Sequence, residues 1–440
     1  MTKTEKAEYD LGEELVNVYR GWHQLEATKK EKGVDVIDID AAPVSKENDV
    51  PVFQSRREVS TWLRKISSRL NSRKPDGRYL RDKIGGSQEF IADLRNGNSS
   101  ADPLDSPLSH EDYSEATIGV RPRKISPEEM DFQHGVVEDL FTQIGCEFTP
   151  FGWQSFYGDH KLNPLEIEEN FQRSARSIVK TMLSDQILGI SDLPPDYIFK
   201  HVNEPALWIS WVSMEEGKIP VLKTNYNEVN THRWYEGMIK LLSGHEMMHV
   251  LQALQWRKMI ANRELNPALG ILTIPGPEQW GSEALATTLF KFVRPLSESL
   301  TVYEQFALEY RIWLHMRLNN AQIDFNNGES EVEVISQAHD DLPSESPDYL
   351  RKILLMGKNN PVYRAYYVAY RDGTYAFVKM ADALDDKEKI TFVKKLFEKP
   401  MTPNQIKAAF NEIIASRNKQ EVLIENSQHR HEPAYPLLVQ

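Results

Sequence analysis

The stretch Leu241–Trp256, LLSGHEMMHVLQALQW, constrains the fold more than any other part of the 440-residue chain. Met247, Val250, Leu251 and Leu254 recur at helical spacing, so the stretch reads as a helix anchored in a core. Residues four apart share a helix face, which points His245 and His249 the same way and sets Glu246 beside them. Two imidazoles and a carboxylate in a core helix are costly to bury without partners. Any fold for this chain must supply those partners.

A metal ion supplies them. The order H-E-x-x-H lets neutral His245 and His249 hold one Zn²⁺ ion, which acidifies a bound water while Glu246 accepts its proton. A catalytic zinc site needs a third protein ligand. The metzincin extension would place Gly and His at positions 252 and 255, where this chain has Gln252 and Gln255, so that subclass is excluded. A glutamate on a following helix is the other common solution, and GPEQWGSEALATTLF offers Glu278 and Glu283. Glu278, at the start of a helix opening near Pro277, can instead serve the helix dipole.

HEMMH followed by WGSEALA resembles the glutamate-zincin (gluzincin) metallopeptidases, whose second helix carries the third ligand in an N-E-[GA]-x-A or E-G-[WL]-A setting. Glu283–Ala284–Leu285–Ala286 matches that setting better than Glu278 does, so the resemblance implies Glu283 as third ligand. The chain is also loosely similar to a group of largely helical bacterial zinc peptidases with an EGWA-type second motif. The shared features are IPVLKTN ending at Asn225, Gln252 three residues after His249, and AYRDG with Tyr370 and Gly373. That similarity covers about residues 205–380 and departs from the group in lacking its Pro-Gly insertion and its later D-x-G-x-H element. It implies Tyr370 as oxyanion donor, with Arg364, Tyr366 and Tyr367 as neighbours.

Around this motif the chain reads as mainly α with a small β-hairpin, an α+β class with a zincin-like metallopeptidase core. Residues 8–31 form a first helix on Leu11, Leu15, Val18, Tyr19 and Trp22, and residues 57–72 a second on Val59, Trp62, Leu63, Ile66 and Leu70. The Asp- and Pro-rich stretch between them reads as linker. Residues 1–73 are an N-terminal helical segment, and 74–125, turning to Gly, Ser, Asp and Pro, read as a flexible linker or insertion. Residues 126–420 form the catalytic domain, opening on a capping box of Ser126 and Glu129 around Pro127. A hairpin over Ala206–Asn225 is placed to pair with extended substrate. Helices follow at 231–262, 280–293, 298–320, 331–337, 347–356, 361–382, 386–397 and 403–417, and 421–440 is an extended or mobile tail.

The formal net charge of −13 argues against a phosphate-binding surface, so no nucleic-acid partner is expected and Arg121, Arg123 and Lys124 read as a solvated linker. No run reaches the roughly 20 apolar residues of a membrane-spanning helix. The opening MTKTEKAEYD lacks a signal peptide's apolar core. With a single cysteine, Cys146, and no membrane segment, the expectation is a cytoplasmic protein. The leading reading is a zinc-dependent hydrolase acting on a peptide or another amide or acyl substrate. One alternative is a carboxylate-bridged di-iron site built from Glu246/His249 and Asp131/His134. The other is a non-catalytic zincin-fold interaction protein.

Overall fold

The computed structural model describes residues 3–29, 34–43, 49–96, 108–190, 197–204, 209–213, 219–227 and 233–429. The first elements are α1 (Lys3–Ala27), β1 (Ile37–Asp40), α2 (Arg56–Ser67), α3 (Pro75–Asn96) and α4 (His110–Ile118). Then come α5 (Pro127–Gln143), α6 (Pro150–His160), α7 (Pro164–Leu183), β2 (Ile198–Val202), β3 (Ser210–Ser213) and β4 (Val221–Asn225). The motif helix α8 (Glu236–Ala261) is followed by β5 (Ile271–Thr273), α9 (Glu278–Phe292), α10 (Arg294–Ser297) and α11 (Val302–Asn326). The chain continues through α12 (Glu331–Asp341), α13 (Pro347–Asn359), α14 (Pro361–Ala383), α15 (Asp386–Glu398) and α16 (Pro403–His429). The fold is mainly helical with two small sheets, an α+β arrangement.

Helix starts follow local chemistry. Asn163 and Thr301 cap α7 and α11 in reciprocal boxes with Glu166 and Glu304, which satisfies backbone donors that the first turn leaves free. Asn360 caps α14 ahead of Pro361 by accepting from the Val362 and Tyr363 amides, with no return bond from N3. At α5 the box is half closed: Ser126 accepts from the Glu129 backbone, but the Glu129 carboxylate turns to the Ser126 hydroxyl and to Lys379 at 2.8 Å.

Two expectations about the N-terminal part are corrected. Residues 75–96, read as linker, form α3, which buries Tyr79, Leu80, Ile84, Phe90, Ile91 and Leu94. Its helical stripe is interrupted in the letters by Lys83 and Ser87, both wholly buried. Lys83 pairs with Glu278, and Ser87 meets Tyr19 at 3.0 Å. Residues 110–118 form α4, capped by Ser109, while 97–107 lie outside the described residues. The Asp-rich stretch ahead of α2 likewise contains β1, antiparallel to β5.

Trp62, placed on the core face of α2, is 37% exposed and lies under the Lys65 ammonium, a cation–π contact that an exposed ring can make. The tail from 421 is helical to His429 as a continuation of α16. Residues 430–440 lie outside the described residues. Strand β3 does run antiparallel to β4, but β4 is the centre of a three-stranded sheet with β2 parallel on its other side. Residues 206–208 and 214–218 of the expected hairpin lie outside the described residues.

The core centres on α8 and α9. From Leu241 to Ala253 every residue of α8 is buried, so this stretch of the helix has no solvent face and its histidines sit inside the core. Close approach of the two helices depends on Gly244: a Cβ there would lie 2.6 Å from the Phe290 ring. On the far side α14 packs on α9, held by the Trp280 indole donating to Asp372 at 2.8 Å.

Candidate metal centre

α8 and α9 bring together three groups well separated along the chain: His245 and His249 from one helix, and Glu283, 34 positions after His249, from the other. The Nε2 atoms of His245 and His249 are 3.3 Å apart. Glu283 Oε2 lies 3.2 Å from the first and 3.6 Å from the second. Ligands held about 2.0–2.2 Å from an ion at tetrahedral angles are separated by about 3.3–3.6 Å. The triangle therefore matches three corners of such a site. Glu283 Oε2 is buried with no hydrogen-bond donor among the described residues, as an oxygen reserved for a cation would be. Among the described residues, these three are the one group of His, Cys, Asp and Glu gathered closely enough to hold an ion.

Outer contacts fix which nitrogen faces the triangle. Gln252 donates from Nε2 to Leu396 O at 3.2 Å, and Ser282 donates to Gln252 Oε1 at 3.4 Å. Its proton so committed, Ser282 Oγ accepts from His249 Nδ1 at 3.2 Å, which leaves His249 Nε2 as the nitrogen turned to the triangle. Thr287 Oγ1 stands 3.4 Å from His245 Nδ1 and can accept in the same sense. Oε1 of Glu283 accepts the Tyr366 hydroxyl at 2.9 Å.

Charge follows from this packing. Burial opposes protonation of His245 and pushes it down to about 3. Burial also works against charge on His249, but the Glu283 and Glu246 carboxylates outweigh it and lift the imidazole to about 9, so near neutrality Nε2 carries a second proton that a metal ion would have to displace to reach the lone pair. Although burial disfavours an ionised Glu283, the two imidazoles hold its carboxyl well below the usual range. Glu246 lines the adjacent cavity, accepts a hydrogen bond from Ser210 of β3, and is raised to about 7, chiefly by burial. Such a carboxyl exchanges its proton near neutrality, as a general base must.

The remaining candidates fall in different places. Glu278 is not at the triangle: Oε1 accepts from buried Lys83 and from Thr273 N at 2.8 Å, tying the N-terminal part to the entry of α9. Tyr370 stacks its ring on His245, centroids 6.0 Å apart, with its hydroxyl 3.5 Å from that of Tyr366. Arg364 faces away, toward Asp93 at 3.4 Å and Leu108 O. Tyr367 lines the cavity beside Arg371. His134 lies against Phe148 and Trp313 and 3.7 Å from Glu138, so the Asp131/His134 pair does not face Glu246 and His249.

Sequence reasoning missed Ser210, Ser282, Thr287, Arg311 and Asp38. Asp38, on β1, accepts from Gln279 at 2.8 Å and is raised to about 7 by burial and by the nearby Glu283 charge. Isolated hydroxyls and strand carboxylates carry no periodic signal, and each reaches the site only through tertiary packing.

A cavity of about 210 Å³ opens from His245 and Glu246 between β3, α11 and α14. No helix among the described residues is long and apolar enough to cross a membrane. No family model matches the chain and no curated protein does. A solved structure is similar to it: a "putative lipoprotein" from Colwellia psychrerythraea, at 10% identity and a TM-score of 0.53, covering 81% of this chain. The match spans 66% of that protein's length, and at this identity the likeness is one of fold.

Proposed function

We propose that the protein is a zinc-dependent hydrolase with a zincin-like core, acting on a peptide or a related amide or acyl substrate. The observation that carries this reading is the triangle of His245, His249 and Glu283, with edges of 3.2, 3.3 and 3.6 Å, set beside a carboxylate that does not belong to it. Two imidazoles and one carboxylate are a donor set that zinc takes in catalytic sites. When bound there, zinc supplies Lewis-acid polarisation of a carbonyl and a lowered pKa for water.

The chain's own groups do the rest. Glu246, near neutrality, takes the proton of the attacking water and passes it to the leaving group. Ser210 orients Glu246 from the edge strand β3, whose outer edge is unpaired among the described residues and offers main-chain hydrogen bonds to extended substrate. Tyr370, against His245 and within the cavity, is the donor for the developing oxyanion. The low cysteine content supports a cytoplasmic setting.

The test measures zinc content and peptide turnover of wild type, Glu246→Gln and Glu283→Ala. Wild type and Glu246→Gln should each hold about one zinc per chain, with kcat of the variant lower by about 10²–10⁴-fold. Full activity in Glu246→Gln, or wild-type zinc content in Glu283→Ala, refutes the proposal.

A further inference from the structure

The cavity beside the triangle carries more positive than negative charge. Three guanidinium groups line it, from Arg233, Arg311 and Arg371, against the carboxylates of Glu246 and Glu345. Arg233 is matched by Glu345 at 3.1 Å. Arg371 donates to Gln322 Oε1 at 3.1 Å and lies over the Tyr367 ring. Arg311 is different.

No carboxylate lies within ion-pair distance of Arg311 among the described residues, and its hydrogen-bond contact is with His245 Nδ1 at 3.4 Å. A guanidinium can only donate. It carries five N–H donors, and among the described residues one contact of 3.4 Å leaves most of them unmatched whichever nitrogen of His245 holds the proton. A cation left so in a low-dielectric cavity calls for an anion. His315, one turn further along the same face of α11, also lines the cavity, and neither ring nitrogen has a hydrogen-bond partner among the described residues. Arg311, held otherwise only by the more distant charges of Glu246 and Glu283, and His315 thus bring unmatched hydrogen-bonding atoms to the lining of one space.

Aromatic rings form much of the remaining wall, with Trp153, Tyr349, Tyr363 and Tyr367 among them. At about 210 Å³ the space exceeds the roughly 150 Å³ cavity that accommodates benzene. It suits an aromatic or large apolar side chain. Arg311 stands 3.4 Å from His245 Nδ1, the ring nitrogen away from the triangle, so an anion on it lies beyond the imidazole and not among the three ligands.

We propose that this cavity takes an N-acylated α-amino acid, with its free carboxylate on Arg311 and His315 and its side chain against the aromatic wall. The assignment rests on the hydrolase reading above and gives it a substrate class: the bond cut is the amide joining the terminal residue to its acyl partner. The carboxylate is a peptide C-terminus or that of a small N-acyl amino acid.

The test is calorimetric titration of the full-length chain after removal of metal by a chelator, so that no turnover occurs. The probes are Ala-Ala-Ala-Phe with a free C-terminus, the same peptide amidated, and N-acetyl-L-phenylalanine. The free acid should bind about tenfold or more tightly than the amide. Arg311→Gln should erase that preference and Arg311→Lys retain part of it, circular dichroism melts showing that the variants fold. Stronger binding by the tetrapeptide points to peptide C-termini, and stronger binding by the acetylated residue to small acyl amino acids.

Equal binding of acid and amide by the wild-type chain overturns the proposal without recourse to any variant. So does a preference that persists in Arg311→Gln, or one that appears only when zinc is restored, since the carboxylate is then on the ion. A metal-free preference in a chain that takes up no zinc supports the pocket and removes the hydrolase reading.

Discussion

Replacing Tyr366 by Phe tests the metal centre with one atom. The Tyr366 hydroxyl donates to Glu283 Oε1 at 2.9 Å, and both residues are buried. Burial and the adjacent Glu283 charge hold the phenol well above its ordinary pKa, so it acts as a neutral donor throughout the working range. Removing the oxygen leaves Oε1 unsatisfied and frees the carboxylate to rotate away from the two imidazoles. Hydrogen bonds to charged groups contribute about 1.5–3 kcal/mol. Loss of an outer-shell partner weakens metal binding by about 10–100-fold. At about 1.4 kcal/mol per tenfold the two scales agree. We therefore expect the zinc dissociation constant of Tyr366→Phe to rise about 10–100-fold, measured by competition with a chromophoric chelator at neutral pH. Tyr367→Phe, on the same helix and facing the same cavity, should stay within about twofold of wild type. Affinity in Tyr366→Phe within about twofold of wild type would show that Glu283 is not an ion ligand oriented by this contact.

Other outcomes follow from packing and charge. Gly244→Ala places a methyl 2.6 Å from the Phe290 ring. Overpacking by about 1–3 kcal/mol then opposes about 1 kcal/mol of improved helix propensity. Stability should fall modestly while zinc affinity drops as α8 and α9 part; unchanged affinity would refute the role given to this approach. Lys83→Met strips buried Glu278 of its cation and should cost about 3–5 kcal/mol in denaturant unfolding. Adding Glu278→Gln should recover part of that loss, and a purely additive pair of losses would count against the pairing.

His110 gives a pH signature remote from the triangle. Burial, with Arg364 and Arg371 nearby, depresses its pKa from 6.5 to about 3, and its Nδ1 has no partner. Between those values the unfolded chain binds the proton and the folded chain does not, so stability is full above about pH 6.5 and falls as pH drops. The loss at pH 5 is about 2 kcal/mol. His110→Asn should flatten the acid limb of urea-unfolding stability by that amount, and an unchanged limb would show that His110 is not held neutral.

Sequence by itself determined α14, expected at 361–382 and found at Pro361–Ala383, because its periodicity and its Asn-Pro start are local signals. It also marks α11 as a helix, but the ends at Val302 and Asn326 lie several residues beyond those of the expected 298–320. It also set His245, Glu246 and His249 on one helix, since a four-residue spacing fixes their relative direction. It misread α3, whose buried stripe includes Lys83 and Ser87; those letters look like surface until their partners Glu278 and Tyr19 are known. Tertiary structure separated the two glutamates of α9. A backbone turn of about 100° per residue sets Glu278 and Glu283 roughly 140° apart around the helix, so they face different neighbours. One meets a lysine from the N-terminal part and the other two histidines from α8. Ser210, Tyr366 and Arg311 arrive from three further elements; nothing local marks Ser210 or Arg311 as part of the site, and Tyr366 is reached only as a neighbour of Tyr370. Spacing along one helix is a covalent property of the chain, whereas the meeting of five elements around an ion-sized gap is a property of its packing.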